Sequence, residues 1–236
     1  MFAEYREAIR SLPSGRLERD VLQTDTFLVE QYDQISIFYA PFDAIEPRAR
    51  VVLVGITPGW EQMRLAFEAA RDALTTGQSD EHALRAAKAT GSFAGMRNRL
   101  IAWLDELGVN TWLDIDSTSA LFDDRGDLLH TTSAVRYPVF IGPDHANYSG
   151  SSPSLDKTPK LLDRCKTLLV PELASLKSAL VVPLGSTVSR TLEAIPGIEM
   201  SKCLLGFPHP SGANGWANRH FAEAKDRMTE QVRNLD

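Results

Sequence analysis

The chain has 236 residues, of which 43% are hydrophobic and 24% charged, with a formal net charge of −6. That size and balance describe an ordinary globular protein with one sizeable core, and they exclude a membrane-spanning run and a low-complexity tract. The acidic balance weighs only weakly against nucleic-acid binding, because affinity for phosphates follows local rather than total charge. Glu4, Arg6 and Glu7 are unlike a secretory signal, so a cytoplasmic location is expected. The two cysteines, Cys165 and Cys203, are too few and too far apart for a disulfide framework or a four-cysteine metal site and read as small buried residues.

A helix over Phe2–Arg10 opens the predicted order, and the β-rich, alternating residues 27–40 predict one or two strands ahead of the core. Val51–Gly55 is short and continuously apolar, the pattern of a central strand buried on both faces, so a parallel sheet is expected. Helical spacing then runs through residues 61–75, 80–89 and 94–107, the last with Met96, Leu100, Trp103, Leu104 and Leu107 as a core-facing stripe. Four basic residues, Arg85, Lys88, Arg97 and Arg99, and no acidic one lie between residues 85 and 104. They suit a phosphate-facing surface and a solvated helix face equally. A turn at residues 123–126 sits between strand-like arms, and residues 128–135 lead into Arg136-Tyr137-Pro138. Residues 142–159, rich in Gly, Pro, Ser and Asn, predict a long surface loop of the kind that often carries function. A helix over Pro159–Ser175, a strand at 179–184, a helix after Gly185-Ser186, a strand at 203–207 and a helix from about Trp216 complete the order. The alternation predicts a single α/β domain, a three-layer α/β/α sandwich around a mostly parallel sheet of about four strands. Residues 1–45 are expected to pack on it as an N-terminal extension.

Two loops at the carboxyl ends of apolar strands stand out, because ligands bind at that edge of open α/β sheets. Gly55-Ile56-Thr57-Pro58-Gly59 leads from a strand into a helix, with glycines that allow close approach of a ligand to backbone amides. Alone it is a common kind of junction. In Gly206-Phe207-Pro208-His209-Pro210-Ser211-Gly212-Ala213-Asn214 two prolines flank His209 and stiffen the loop around it. A lone histidine is usually a surface or core residue, but this setting also suits a functional one.

In this order and spacing the loops resemble the two signature motifs of the uracil-DNA glycosylase superfamily, over roughly residues 50–230. The loop around Thr57 is similar to the Gly-x-x-Pro-Gly water-activating motif of the mismatch-specific and single-strand-selective branches. The loop around His209 resembles the His-Pro-Ser loop that grips the base and wedges the duplex. Gly91-Ser92-Phe93 is similar to the segment whose ring stacks on the flipped base, although Phe93 reads equally as a packing residue. Thr132-Ser133-Ala134-Val135 resembles the strand end that reads the base edge. The resemblance implies Thr57 and His209 as catalytic residues, with His209 donating a hydrogen bond to a base carbonyl as negative charge gathers there. It implies Gly55, Ile56, Pro58, Phe93 and Ser133 around the base, and Pro210, Ser211, Gly212, Ala213 and Asn214 against DNA, the last three in the place of the wedge. DNA is then the partner. No membrane, cofactor, metal or obligatory protein partner is expected, and the chain is expected to act as a monomer. Neither loop contains a lysine, so a Schiff-base step is not expected and the product is an abasic site.

Two positions depart from the family pattern. Thr57 stands where familiar members carry Asp or Asn, and a threonine hydroxyl positions water without serving as an anionic base. Ser133 stands where an Asn matches the uracil edge. Both replacements are smaller, which permits a modified pyrimidine such as glucosylated hydroxymethylcytosine of phage DNA and hence an antiviral role. The competing readings are a non-catalytic nucleic-acid or nucleotide-binding member of the fold, and a hydrolase of free nucleosides or nucleotides.

Overall fold

Val51–Gly55 is buried at all five residues, as an uninterrupted apolar strand between two layers must be. The computed structural model describes residues 1–212 and 215–235. In chain order α1 (Phe2–Arg10), α2 (Arg19–Leu22), β1 (Leu28–Tyr32), β2 (Ile35–Phe38) and β3 (Val51–Gly55) come first. They are followed by α3 (Trp60–Thr75), α4 (Asp80–Gly91), α5 (Arg97–Glu106), α6 (Val109–Trp112), β4 (Leu129–Ser133), β5 (Val139–Ile141) and β6 (Ala146–Asn147). Last are α7 (Pro159–Ser175), β7 (Leu180–Pro183), α8 (Ser186–Ala194) and α9 (Ala217–Arg233). Two units, each of three chain segments, divide these elements.

The second unit, Glu46–Ile56, Gly95–Ala134 and the chain from Pro153 onward, holds the parallel sheet. Its order is β4-β3-β7, with Val51 beside Leu129 on one side and Leu180 on the other. Helices flank this sheet, in keeping with the expected three-layer α/β/α architecture. Val52 and Val54 of β3 and Val181 of β7 pack against Leu169 and Leu176 of the α7 region and against Val188 and Leu192 of α8. Each such side chain, fully buried, contributes on the order of 1.5–3 kcal/mol. Trp103 of α5 stacks on Phe221 of α9 at 4.9 Å, and Phe207 meets both rings edge-on. A buried polar tie links β4 to α7: His130 Nε2 lies 2.6 Å from Glu172 Oε1, and the Thr132 hydroxyl donates to Glu172 Oε2 at 3.1 Å.

The first unit, Met1–Ile45, Thr57–Ala94 and Val135–Ser152, has its own antiparallel sheet of order β1-β2-β5-β6. The two strands expected in residues 27–40 are β1 and β2. Tyr5 stacks on Tyr39 at 4.0 Å and Phe27 meets Phe67 edge-on at 4.7 Å, packing α1 and the strand segment over α3. Arg71 of α3 donates to the carbonyls of Pro13 and Gly15, which ties down the chain after α1. Helices α3 and α4 pack closely where Gly91 meets Gln62: a Cβ at residue 91 would lie 2.8 Å from the Gln62 carbonyl oxygen.

Four sequence expectations change. The strand expected at 203–207 reduces to a single parallel bridge from Cys203 to Val181, so three strands and one bridge stand where about four strands were expected. The arm before the 123–126 turn is a 3-10 helix, Thr118–Phe122, because the Asp105 carboxylate accepts both the Ser117 hydroxyl and the Thr118 N–H and curls the chain. Helix α5 begins at Arg97 rather than at residue 94, since Phe93 and Gly95 both take positive φ and interrupt the helical path. Residues 142–159 are not one open loop: they carry β6 and a 3-10 turn, Leu155–Lys157, and they bury Tyr148.

Candidate functional site

The carboxyl ends of the three parallel strands collect one group of the expected residues. Gly55 and Ser133 are register partners on β3 and β4, and the Gly55 carbonyl accepts the Ala134 N–H at 2.8 Å. Ser133 is buried at the end of its strand. Ile56 packs its side chain against the Val52, Val54 and Val181 cluster, which leaves its backbone as the part able to meet a ligand. Beyond β7 the chain turns at Gly185, whose φ of 94° and ψ of 159° are accessible to glycine and strained for other residues. The Gly185 N–H donates to the Phe207 carbonyl at 2.9 Å, and a Cβ at residue 185 would lie 3.0 Å from the Cβ of His209. The strand–helix junction and the His209 loop therefore touch backbone to backbone.

Three further contacts hold that loop. Phe207 lies edge-on to both Trp103 and Phe221. Arg99 of α5 donates Nη1 hydrogen bonds to the carbonyls of Pro210 at 3.3 Å and Ser211 at 3.0 Å. The Ser211 N–H donates to His209 Nδ1 at 3.3 Å. With Nδ1 accepting, the neutral imidazole carries its proton on Nε2. Burial pushes the His209 imidazole below its ordinary value of 6.5, so the neutral form predominates at neutral pH. The result is a half-buried, uncharged Nε2–H donor on a braced loop. Pro210 is buried, Ser211 half-buried and Gly212 exposed, while Ala213 and Asn214 lie outside the described residues.

Thr57, Pro58 and Phe93 belong to the first unit. The Thr57 hydroxyl donates to the Tyr137 carbonyl at 2.8 Å and accepts the Val139 N–H at 3.1 Å. Its proton is thus committed to backbone, and what it offers a water molecule is its second lone pair. The Tyr137 hydroxyl in turn donates to Asp43 at 2.6 Å, with Tyr39 donating to the other oxygen of the same carboxylate at 2.8 Å. Pro58 is buried. At the start of α3 the Gln62 side chain accepts the Gly59 N–H at 2.9 Å, and the Asn147 side chain accepts the Trp60 N–H at 2.9 Å. Asn147 thus supplies from β6 the cap that Gly59 cannot. Arg19 sets the β6 turn in place, with its guanidinium over Trp60 at 4.8 Å and a hydrogen bond to the His145 carbonyl at 2.9 Å. Phe93 is 5% exposed and holds φ at 52°, a conformation that costs a bulky residue about 1–3 kcal/mol.

Gly185, Arg99 and Tyr137 were not singled out from the sequence as parts of the site. A glycine directly after an apolar strand was the available signal for Gly185; Arg99 was marked only as a member of the basic stretch, and nothing local marks Tyr137, since both act through residues distant in the chain. Asn147, with Asp144, His145 and Tyr148 of the 142–159 loop, was weighed from the sequence as a contact to a substituent on the base or as plain surface; its cap of α3 has no local signal. The basic stretch from Arg85 to Arg99 is used within the protein: Lys88 donates to the Ala44 carbonyl, Arg97 lies over Phe122 at 5.4 Å, Arg99 holds the His209 loop and Arg85 pairs with Glu81. Both cysteines are buried free thiols, with burial pushing Cys165 up to about 12 and Cys203 up to about 11. Among the described residues no cluster of His, Cys, Asp and Glu has the makings of a metal site, and no helix is long and apolar enough to cross a membrane.

Comparison with known proteins gives two findings. The family model described as the uracil DNA glycosylase superfamily matches residues 42–233. An uncharacterized protein of Bacillus subtilis (strain 168), YoxB, is 37% identical over 238 residues, which cover 98% of this chain and 92% of that protein.

Proposed function

Because the chain belongs to the uracil DNA glycosylase superfamily, we propose that it is a monofunctional DNA glycosylase, which hydrolyses the N-glycosidic bond of a flipped-out pyrimidine and leaves an abasic site. The observation that carries the reading is His209: a neutral donor with its tautomer set by the Ser211 N–H, on a loop braced by Gly185, Phe207 and Arg99. Negative charge gathers on the departing base in the transition state. A fixed, uncharged Nε2–H donor stabilises that charge at no cost in reorganisation. Phe93 is assigned the stacking ring, and its strained backbone suits a residue whose position matters more than its local energy. Ser133 and the backbone of Gly55, Ile56 and Pro58 are assigned the base edge, Thr57 the attacking water, Pro210 and Ser211 the DNA backbone, and Gly212 a share of the wedge. Ala213 and Asn214 keep their place as the proposed wedge.

For the substrate we favour a modified pyrimidine over uracil. Ser133 lacks the carboxamide that matches uracil with a donor and an acceptor, and its side chain is shorter than the Asn it replaces. Glucosylated hydroxymethylcytosine of phage DNA is the specific candidate, which makes the protein an antiviral factor acting as a cytoplasmic monomer. The test incubates the protein with uracil DNA and with glucosylated phage DNA and counts abasic sites. Abasic sites in glucosylated DNA are expected, with release slowed by about two to three decades in His209→Ala. Abasic sites confined to uracil DNA remove the modified-base assignment. A non-catalytic DNA-binding role is the second reading, favoured by the engagement of the Thr57 hydroxyl with the Tyr137 and Val139 backbone. It is the outcome if wild type and His209→Ala bind DNA equally and neither releases a base.

A further inference from the structure

Trp216 is 63% exposed, whereas Trp60 and Trp103 are 8% and 6% exposed. So large an apolar ring left in water contributes little to folding. It follows the His209 loop and precedes α9, where its carbonyl accepts the His220 N–H at 3.0 Å, so its backbone is already in the helical path. Ala217 beside it and Phe221 one turn on are buried, which anchors the helix start to the core. Asn218, Arg219 and His220 are exposed, and the first turn of α9 contains no acidic residue in a chain of net charge −6. The Arg219 guanidinium sits 5.8 Å from the Trp216 ring centroid and is held there by Glu223, which accepts from its Nε at 2.8 Å.

We propose that Trp216, backed by Arg219, is a stacking platform for an unpaired nucleobase beside the excision site. The inference rests on the glycosylase reading and adds to it the form of the substrate, a strand locally free of its complement. An aromatic face binds any base by stacking but only where that base is not already stacked in a duplex, and an adjacent cation contributes both to the ring and to the neighbouring phosphate. No sequence readout is needed for this.

The 236-residue wild type, Trp216→Ala and Trp216→Phe are titrated with single-stranded oligothymidylate and with an intact blunt duplex, following tryptophan emission and oligonucleotide anisotropy. Wild type is expected to bind the single strand with quenching of its emission. Trp216→Ala is expected to bind the single strand about ten- to a hundredfold more weakly, Trp216→Phe to lie between, and duplex affinity to change much less. If wild type binds and Trp216→Ala matches it, the platform is wrong while the glycosylase reading stands. Equal losses on single strand and duplex also overturn it, since they mark a backbone contact. If wild type binds neither DNA and releases no base from any substrate, the platform and the glycosylase reading fall together.

Discussion

His209 shows how a single side chain is specified by neighbours far away in the chain. Its ring is oriented by an N–H two residues on, but its place is set by Gly185, which allows the loop to approach within a Cβ radius of the strand end. Its lowered proton affinity has two consequences. The unfolded chain takes up a proton near 6.5 and the native imidazole does not, so below that pH the unfolded state binds more protons and stability falls as pH drops; above it the contribution is constant. For activity, the donor stays neutral as pH falls through 6.5, so single-turnover base release is expected to keep its rate there and to decline only at lower pH. An acid limb centred at or above 6.5 that vanishes in His209→Gln would show that the buried imidazole is not held neutral.

At the level of elements, the site depends on junctions more than on the helices and strands themselves. Gly185 links β7 to α8 and, through its N–H donated to the Phe207 carbonyl, to the His209 loop. Gly185→Ala both enters a glycine-only region of backbone space and presses a methyl group against His209, so a loss of stability of about 1–3 kcal/mol is expected from the backbone alone. The base-release rate is expected to fall further than that destabilisation accounts for, measured well below the melting temperature, because the displaced group is the donor. A rate equal to wild type in a folded Gly185→Ala protein would remove Gly185 as a positioning residue. Elements were largely legible in the sequence: α1, β3 and α7 coincide with Phe2–Arg10, Val51–Gly55 and Pro159–Ser175, because continuous apolarity, helical spacing and Pro at a helix start are local signals. The strand at 203–207 was not, because pairing is a property of two segments and the pairing there amounts to one bridge, Cys203 to Val181.

For the molecule as a whole, the chain alternates between the two units, with three segments in each, and the superfamily match runs through both. Neither unit is continuous in sequence, so neither is encoded by a separable piece of chain. We therefore take residues 1–236 as one domain and expect a single calorimetric transition whose van't Hoff and calorimetric enthalpies agree. Two resolved transitions would contradict it. The acidic net charge also means that affinity for DNA must come from local groups, and within the basic stretch Lys88, Arg97 and Arg99 contact Ala44, Phe122 and the His209 loop.

By itself the sequence determined the α/β class, the central strand, most helix bounds and the two motif loops, since hydrophobic period, proline and glycine act over a few residues. It also marked His209 as a candidate, because the flanking prolines and following serine are adjacent in the chain. Only the tertiary structure decided that Thr57 is bonded to the Tyr137 and Val139 backbone, that Asn147 caps α3, that Arg99 is a brace and that Trp216 stands in solvent. Each of those depends on segments brought together by packing, with separations in the chain that no local pattern records.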